Sequence, residues 1–373
     1  MKKIVVAMDS FKGCLSSADA GGSVARGVAR ALPDAAITVL PVADGGEGTL
    51  DALKVRAAYR EYSAPVTAPD GRAITARFLS DGKSAVVEMA LASGLTLTPE
   101  GERDAVAATS YGAGELLLAA ARTGARKILL CIGGSATTDG GLGLAAALGI
   151  RFLDAGGARV FYARDMEKIV RADLSEKTEL LDGVTVEIAC DVTNPLCGPK
   201  GAARVYGSQK GASPMQVELL DRGLGRLNEA VRAAAGSDFG ALPGAGAAGG
   251  VSVPLAAFFG ARLRSGIVLV LETLEFDKSI RDADWVVAGE GRVDNQSAQG
   301  KALSGIGKRA AAAGVPVLAI AGRLGAGYES VYERGVRGIF AIQNKPMSAE
   351  ESIAAAPELL ADCAERIFRL LYG

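Results

Sequence analysis

Two hydrophobic rhythms alternate along the chain. Lys3 to Ala7 carries the short β-branched run Ile4-Val5-Val6, which predicts a strand. From about Ala18 to Ala31 alanine and other small residues recur at helical spacing, which predicts an amphipathic helix. Ile37 to Val42 reads as a second strand that ends in a glycine-rich turn. The same rhythm returns near the end. It predicts a strand at Trp285–Ala288, a helix at Gly305–Ala313 and a strand at Val317–Ala321. A short helix at Val331–Arg334, a strand at Gly338–Ile342 and a closing helix at Ile353–Leu371 follow.

Two strands at the front and three at the back make one five-stranded parallel sheet. That count predicts an α/β fold with a flavodoxin-like, doubly wound layer built from both chain ends, in strand order 2-1-3-4-5. The middle behaves differently. Ala73–Leu79 and Ser84–Met89 read as antiparallel strands around Asp81-Gly82. Ala105–Ala121 reads as a helix, Lys127–Ile132 and Val184–Ala189 as strands, and Met215–Ala235 as a long helix. The expected division is therefore a discontinuous Rossmann-type domain at 1–63 and 280–373, with an inserted mixed α/β domain at 64–279.

Composition narrows the chemistry. The 373 residues include no histidine, which excludes a Ser-His-Asp triad, a Cys-His pair, a histidine-bearing zinc site and a phosphohistidine relay. Acid–base work near neutral pH must use carboxylates, Lys, Tyr, Cys or solvent. Charge is balanced at 41 basic against 42 acidic residues, so no nucleic-acid partner is expected. Apolar runs such as Ile128–Ile132 and Ile267–Leu271 are too short to span a bilayer, and Met1-Lys2-Lys3 with four apolar residues is too short for a signal peptide. Five scattered cysteines without a CxxC pair fit reduced thiols and a cytoplasmic location.

The 49 glycines carry the strongest signal, because they cluster with carboxylates just after predicted strands. The clusters are Asp9-Ser10-Phe11-Lys12-Gly13, Asp44-Gly45-Gly46-Glu47-Gly48-Thr49 and the stretch Gly133 to Gly141, which contains Ser135, Thr137 and Asp139. Asp191-Val192-Thr193-Asn194-Pro195 and Gly289-Glu290-Gly291-Arg292-Val293-Asp294 complete the set. Ligands of open α/β sheets bind beyond the carboxyl ends of strands, and glycine there lets backbone N–H groups approach an anion. Each cluster taken alone is also explained as an ordinary strand-to-helix turn. Carboxylates beside an anion-binding backbone imply a bridging cation, and Mg²⁺ with a nucleotide is the common solution. The residues thus point to phosphoryl transfer. There is no GxxxxGK[ST] loop, so a phosphate cradle would not be of Walker type. Ser80-x-x-Lys83 could seed a Ser-Lys hydrolase, but it falls in a predicted hairpin turn.

In these motifs the chain resembles the bacterial two-domain glycerate kinases, essentially from end to end. The resemblance also includes Thr109-Ser110-Tyr111-Gly112, Gln209-Lys210-Gly211-Ala212 and Gly246-Ala247-Ala248-Gly249-Gly250. It implies ATP-dependent phosphorylation of D-glycerate with Mg²⁺, giving 2-phosphoglycerate rather than 3-phosphoglycerate, and the strand-end loops are expected to face one interdomain cleft. A non-catalytic nucleotide or metabolite sensor that keeps the fold is the alternative. The chain departs from the family pattern at Met8, Cys14, Ala113, Thr138 and Ser208, of which Thr138 lies inside a ligand loop. The expected partners are glycerate and ATP, with no nucleic acid and no membrane; homo-oligomerisation is left open.

On that reading Asp191 is the candidate general base, an N-cap or Asx-turn aspartate being its structural alternative. Asp44 and Glu47 are candidates for Mg²⁺ or substrate hydroxyls, and a first-turn acid favoured by the helix dipole is the rival account of Glu47. Glu290 and Asp294 are candidates for Mg²⁺ or the ribose. Arg292 would hold a phosphate or the glycerate carboxylate, for which its fork is suited. Lys12 and Lys301 are phosphate candidates, with a solvated surface lysine as the alternative for each. Ser10, Ser135 and Thr137 would donate to phosphate or substrate oxygens unless they only cap turns. Asp9, Gly45, Gly46, Gly134, Thr193 and Asn194 complete the expected contacts.

Overall fold

The structure is a computed structural model that describes residues 1–295, 297–298 and 301–373. The chain divides into two compact units. Met1–Asp44, Asp51–Ala57 and Ser265–Gly373 form the first; Gly45–Leu50 and Ala58–Arg264 form the second.

Strands β1 (Lys3–Met8) and β2 (Ala36–Val39) open the first unit. The second unit supplies β3 (Arg60–Thr67), β4 (Ala73–Ser80), β5 (Ser84–Glu88), β6 (Lys127–Cys131) and β7 (Arg151–Leu153). It continues with β8 (Arg159–Val160), β9 (Arg171–Asp173), β10 (Thr185–Ala189) and β11 (Arg262–Arg264). The chain then returns to the first unit for β12 (Trp285–Val293), β13 (Val317–Leu324) and β14 (Val336–Ala341).

In the first unit the sheet runs β2-β1-β12-β13-β14, all parallel, which in the unit's own chain order is 2-1-3-4-5. β1 is buried from Ile4 to Met8, as its unbroken apolar run requires. Helix Ser17–Ala31 is capped by Ser16, whose side chain accepts from the Asp19 N–H. It packs on helix Ala356–Tyr372, and the core joins Val6, Val24, Val287, Leu360 and Phe368. The expected single closing helix is two: Ala349–Ala354, started by a Ser348–Glu351 capping box, and Ala356–Tyr372, with Pro357 in its first turn. A proline there lacks the N–H that would continue the preceding helix.

The second unit is a mixed six-stranded sheet in order β11-β10-β6-β5-β4-β3, parallel from β11 to β5 and antiparallel from β5 to β3. The hairpin at Asp81 is as expected: its Oδ1 accepts the Lys83 and Ser84 N–H groups. Ser80 Oγ pairs with Thr123 Oγ1 at 2.7 Å and accepts the Gly82 N–H, so it caps a turn rather than serving as a nucleophile. The small antiparallel sheet β8-β7-β9 escapes sequence reading because its strands are two or three residues long. The helix expected at 105–121 begins only at Tyr111, because the N–H and hydroxyl of Ser110 both turn to the carboxylate of Asp139.

Candidate active site

The order 2-1-3-4-5 has its switch point between β1 and β12, where a crevice opens beyond the strand ends. Asp9 leaves β1 there, and its N–H donates to the Gly289 carbonyl at 2.9 Å. One finding corrects the sequence reading of Gly289 to Val293 as a loop. β12 runs through Val293, with Glu290 opposite Ala321 and Arg292 opposite Arg323 on β13. The facing glycines explain the extension. A Cβ on Gly322 would strike the Gly291 carbonyl, so only glycine lets β13 follow β12 this far. Glu290 and Arg292 are therefore held by a sheet rather than a turn, and two residues apart they share a face.

A cavity of about 550 Å³ opens at this point. It gathers Asp9, Ser10, Lys12, Asp44, Glu290, Arg292, Asp294 and Lys301, eight of the candidate residues. Arg292 Nε bonds Asp294 Oδ2 at 2.9 Å, and the Ser10 N–H donates to Asp9 Oδ1 at 2.6 Å. Arg323 and Gln343 also line the cavity and were not in the sequence reading. The register that places Arg323 beside Arg292 has no sequence signal. Gln343, just past the end of β14, donates to the Gly322 carbonyl at 2.6 Å.

The acids in this cavity are electrostatically crowded. The Asp9 carboxyl is pushed up to about 7, first by burial, then by Asp44 and less by Glu290; the Ser10 N–H and Lys12 only partly oppose this. Glu290 is raised too, mainly by burial, with Ser297 and Lys301 pulling the other way. Its Oε1 is buried without a hydrogen-bond partner among the described residues. An orphaned carboxylate oxygen beside neighbours that resist ionisation suits a hard divalent cation. Among the described residues no group of three or more metal-ligating side chains converges. Mg²⁺ can be held by one or two carboxylates, with phosphate oxygens and water filling its shell.

The remaining candidates belong to the second unit. Gly45 has φ +86°, and a Cβ on Gly133 would sit 2.8 Å from the Gly46 Cα, so two glycine loops lie back to back. Glu47 is exposed, and Gly134 has φ +74° and is exposed. Ser135 and Thr137 are buried, joined through Lys210: its Nζ donates to Ser135 Oγ at 3.0 Å and to the Thr137 carbonyl at 2.6 Å. Asp191 and Thr193 lie exposed in the segment after β10. Asn194 is committed to structure, donating to the Lys200 carbonyl and accepting from the Tyr206 hydroxyl, both at 2.8 Å. Lys210 was quoted in a motif but given no role. Its burial is the signal that the sequence lacks.

A doubly wound sheet with an acid-rich, cation-flanked pocket at its switch point defines an α/β protein with a cavity where such folds bind ligands. The glycerate kinase family profile matches residues 4–372, and the chain belongs to that family of phosphotransferases. It is 40% identical over 370 residues to the glycerate kinase of Halalkalibacterium halodurans, covering 98% of this chain and 97% of that one. It is also 40% identical over 357 residues to the glycerate 2-kinase of Escherichia coli K12, covering 95% and 94% of the two chains. A crystal structure from Salmonella typhimurium LT2, of a protein assigned as a glycerate kinase 2, superposes with a TM-score of 0.89 at 39% identity, covering 99% of this chain and 98% of that one. Among the described residues no helix is long and apolar enough to cross a membrane.

Proposed function

We propose that this protein transfers the γ-phosphoryl group of ATP to D-glycerate and forms 2-phosphoglycerate. The observation that carries the reading is the gathering of Asp9, Asp44, Glu290, Lys12, Arg292 and Lys301 around one cavity at the switch point of the sheet. Catalysis of this kind is mainly positioning and charge stabilisation. Lys12 and Lys301 neutralise phosphate oxygens, and Arg292 holds a phosphate or the glycerate carboxylate. Glu290 and Asp294 are the residues that would hold Mg²⁺, which would supply charge neutralisation along the phosphates when bound. Asp191 accepts the proton of the attacking 2-hydroxyl as the new O–P bond forms and the bond to the β–γ bridging oxygen breaks, releasing ADP. Ser10, Ser135 and Thr137 donate to phosphate or substrate oxygens. Gly45, Gly46 and Gly134 bring backbone close to the ligands.

A coupled ADP-release assay with Mg-ATP tests this across D-glycerate, L-glycerate and related hydroxy acids. Turnover with D-glycerate is expected, with the phosphorus on the 2-oxygen by NMR of the product. ATP binding without turnover on any acceptor would replace the kinase reading with a sensor.

A further inference from the structure

The segment Gly133–Gly141 is held from three directions. Asp139 anchors its far end, accepting at Oδ2 from the Ser110 N–H, the Ser110 hydroxyl and the Gly143 N–H, and at Oδ1 from the Gly141 N–H. The turn Ala247–Gly250 backs against its middle. A Cβ on Gly249, at φ +72°, would strike the Thr137 carbonyl, and the Gly249 carbonyl accepts the Gly140 N–H at 2.8 Å. Next to it Ala248 sits at φ 49°, a conformation that alanine adopts only under constraint from its surroundings. The third hold is Lys210, 3% exposed, which reaches the same Thr137 carbonyl and Ser135 Oγ.

Burying an amine is costly, and burial pulls Lys210 down with only Asp139 opposing, so a purely space-filling role would favour an apolar side chain. Among the described residues no carboxylate lies within ion-pair distance of Lys210 Nζ, and Asp139 is already occupied by four donors. What Lys210 does make is two directed hydrogen bonds, both to one three-residue stretch of the loop. Thr137 carries the point of contact: its carbonyl meets Lys210 on one side and Gly249 on the other.

We propose that Lys210 is a positioning residue, and that with the Ala248–Gly249 turn it clamps Ser135–Thr137 in the geometry that receives the acid substrate. The proposal rests on the kinase reading for its substrate. The clamp itself is a property of the loop and is measurable without turnover.

The test compares the wild-type chain with Lys210→Met, which keeps an unbranched stem and loses both donors, and with Ala248→Gly, which frees the strained position. Two readouts are taken: KM for D-glycerate and for ATP, and hydrogen exchange of peptides covering 133–141 without substrate. Lys210→Met is expected to raise the glycerate KM at least tenfold with the ATP KM within twofold, and to speed exchange in 133–141. Ala248→Gly is expected to shift both readouts the same way by a smaller factor. Loss of general integrity would move both KM values together. A folded Lys210→Met chain with unchanged glycerate KM and unchanged loop exchange overturns the proposal. Should Lys210→Met not fold, an Ala248→Gly chain indistinguishable from wild type in both readouts overturns it. If the wild-type chain phosphorylates no acid, the kinase reading falls and loop exchange alone decides the clamp.

Discussion

Asp9→Asn isolates the cost of a crowded carboxyl. Asp9 is 7% exposed and pushed from 3.8 up to about 7, chiefly by burial and by Asp44. Its pKa is raised in the folded state, so folding is favoured by protonation. Below 3.8 the side chain is neutral in both states and its stabilising proton is fully present. As pH rises through about 7 that contribution is lost, because the folded chain must then carry a buried charge. At about 1.4 kcal/mol per pH unit, the span from 3.8 to about 7 is worth about 4 kcal/mol. Asparagine stays neutral and can still accept the Ser10 N–H. The variant should match wild type near pH 4 and exceed it by up to about 4 kcal/mol near pH 8. The assay is built into the chain. Trp285, the single tryptophan, lies on β12 and donates to the Tyr372 hydroxyl at 2.9 Å, so its fluorescence in urea reports the first unit alone. A wild-type-minus-variant difference that stays flat from pH 4 to pH 8 would falsify the account of Asp9.

Three further outcomes follow from named contacts. Asp191→Asn should lower kcat by about 10²- to 10⁴-fold with ATP binding intact, measured by ADP release and by equilibrium titration; near-normal kcat removes it as general base. Glu290→Gln should raise the Mg²⁺ concentration for half-maximal rate about tenfold or more, since the orphaned Oε1 loses its charge; an unchanged Mg²⁺ curve rules Glu290 out of cation binding. Gly27→Ala would gain about 1 kcal/mol of helix propensity, but its Cβ would overlap the Ala361 carbonyl where helices Ser17–Ala31 and Ala356–Tyr372 pack. Overpacking of that kind costs about 1–3 kcal/mol or more, so the first unit should be destabilised on balance; a stabilised variant in the same tryptophan assay would show that the helices can part freely.

The legible parts of this chain were those with a strong local period. β1 could be read because Ile4-Val5-Val6 has no polar break, and the long helix Pro214–Ala235 because its apolar face recurs over many turns. The order of the first sheet followed from counting strands. The extension of β12 through Val293 could not be read, because Gly-Glu-Gly-Arg is a turn signature locally and a strand only where Gly322 faces Gly291. The carboxylate clusters picked out Asp9, Asp44 and Glu290, since an acid set among glycines is visible in sequence, although Glu290 lies inside β12 rather than at its end. The places of Arg323 and Lys210 could not be read, for opposite reasons. The first depends on strand register, and the second on burial contributed by residues 70 or more positions away.

The missing histidine has a structural counterpart. Two groups in this chain are moved to about 7, the range an imidazole would occupy: Asp9 from below and Lys210 from above. Burial is the leading cause in both, since it disfavours whichever form is charged and so raises an acid and lowers a base. A histidine titrates there while exposed. A carboxyl or an amine reaches that range only when it is buried. A Cβ on Gly291 would come within 3.3 Å of the Phe11 Cα, two residues from Asp9. A Cβ on Gly211, adjacent to Lys210 at φ +92°, would strike the Arg103 carbonyl. At Gly291 and Gly211 close backbone packing accompanies the burial that brings a carboxyl and an amine toward neutrality without imidazole.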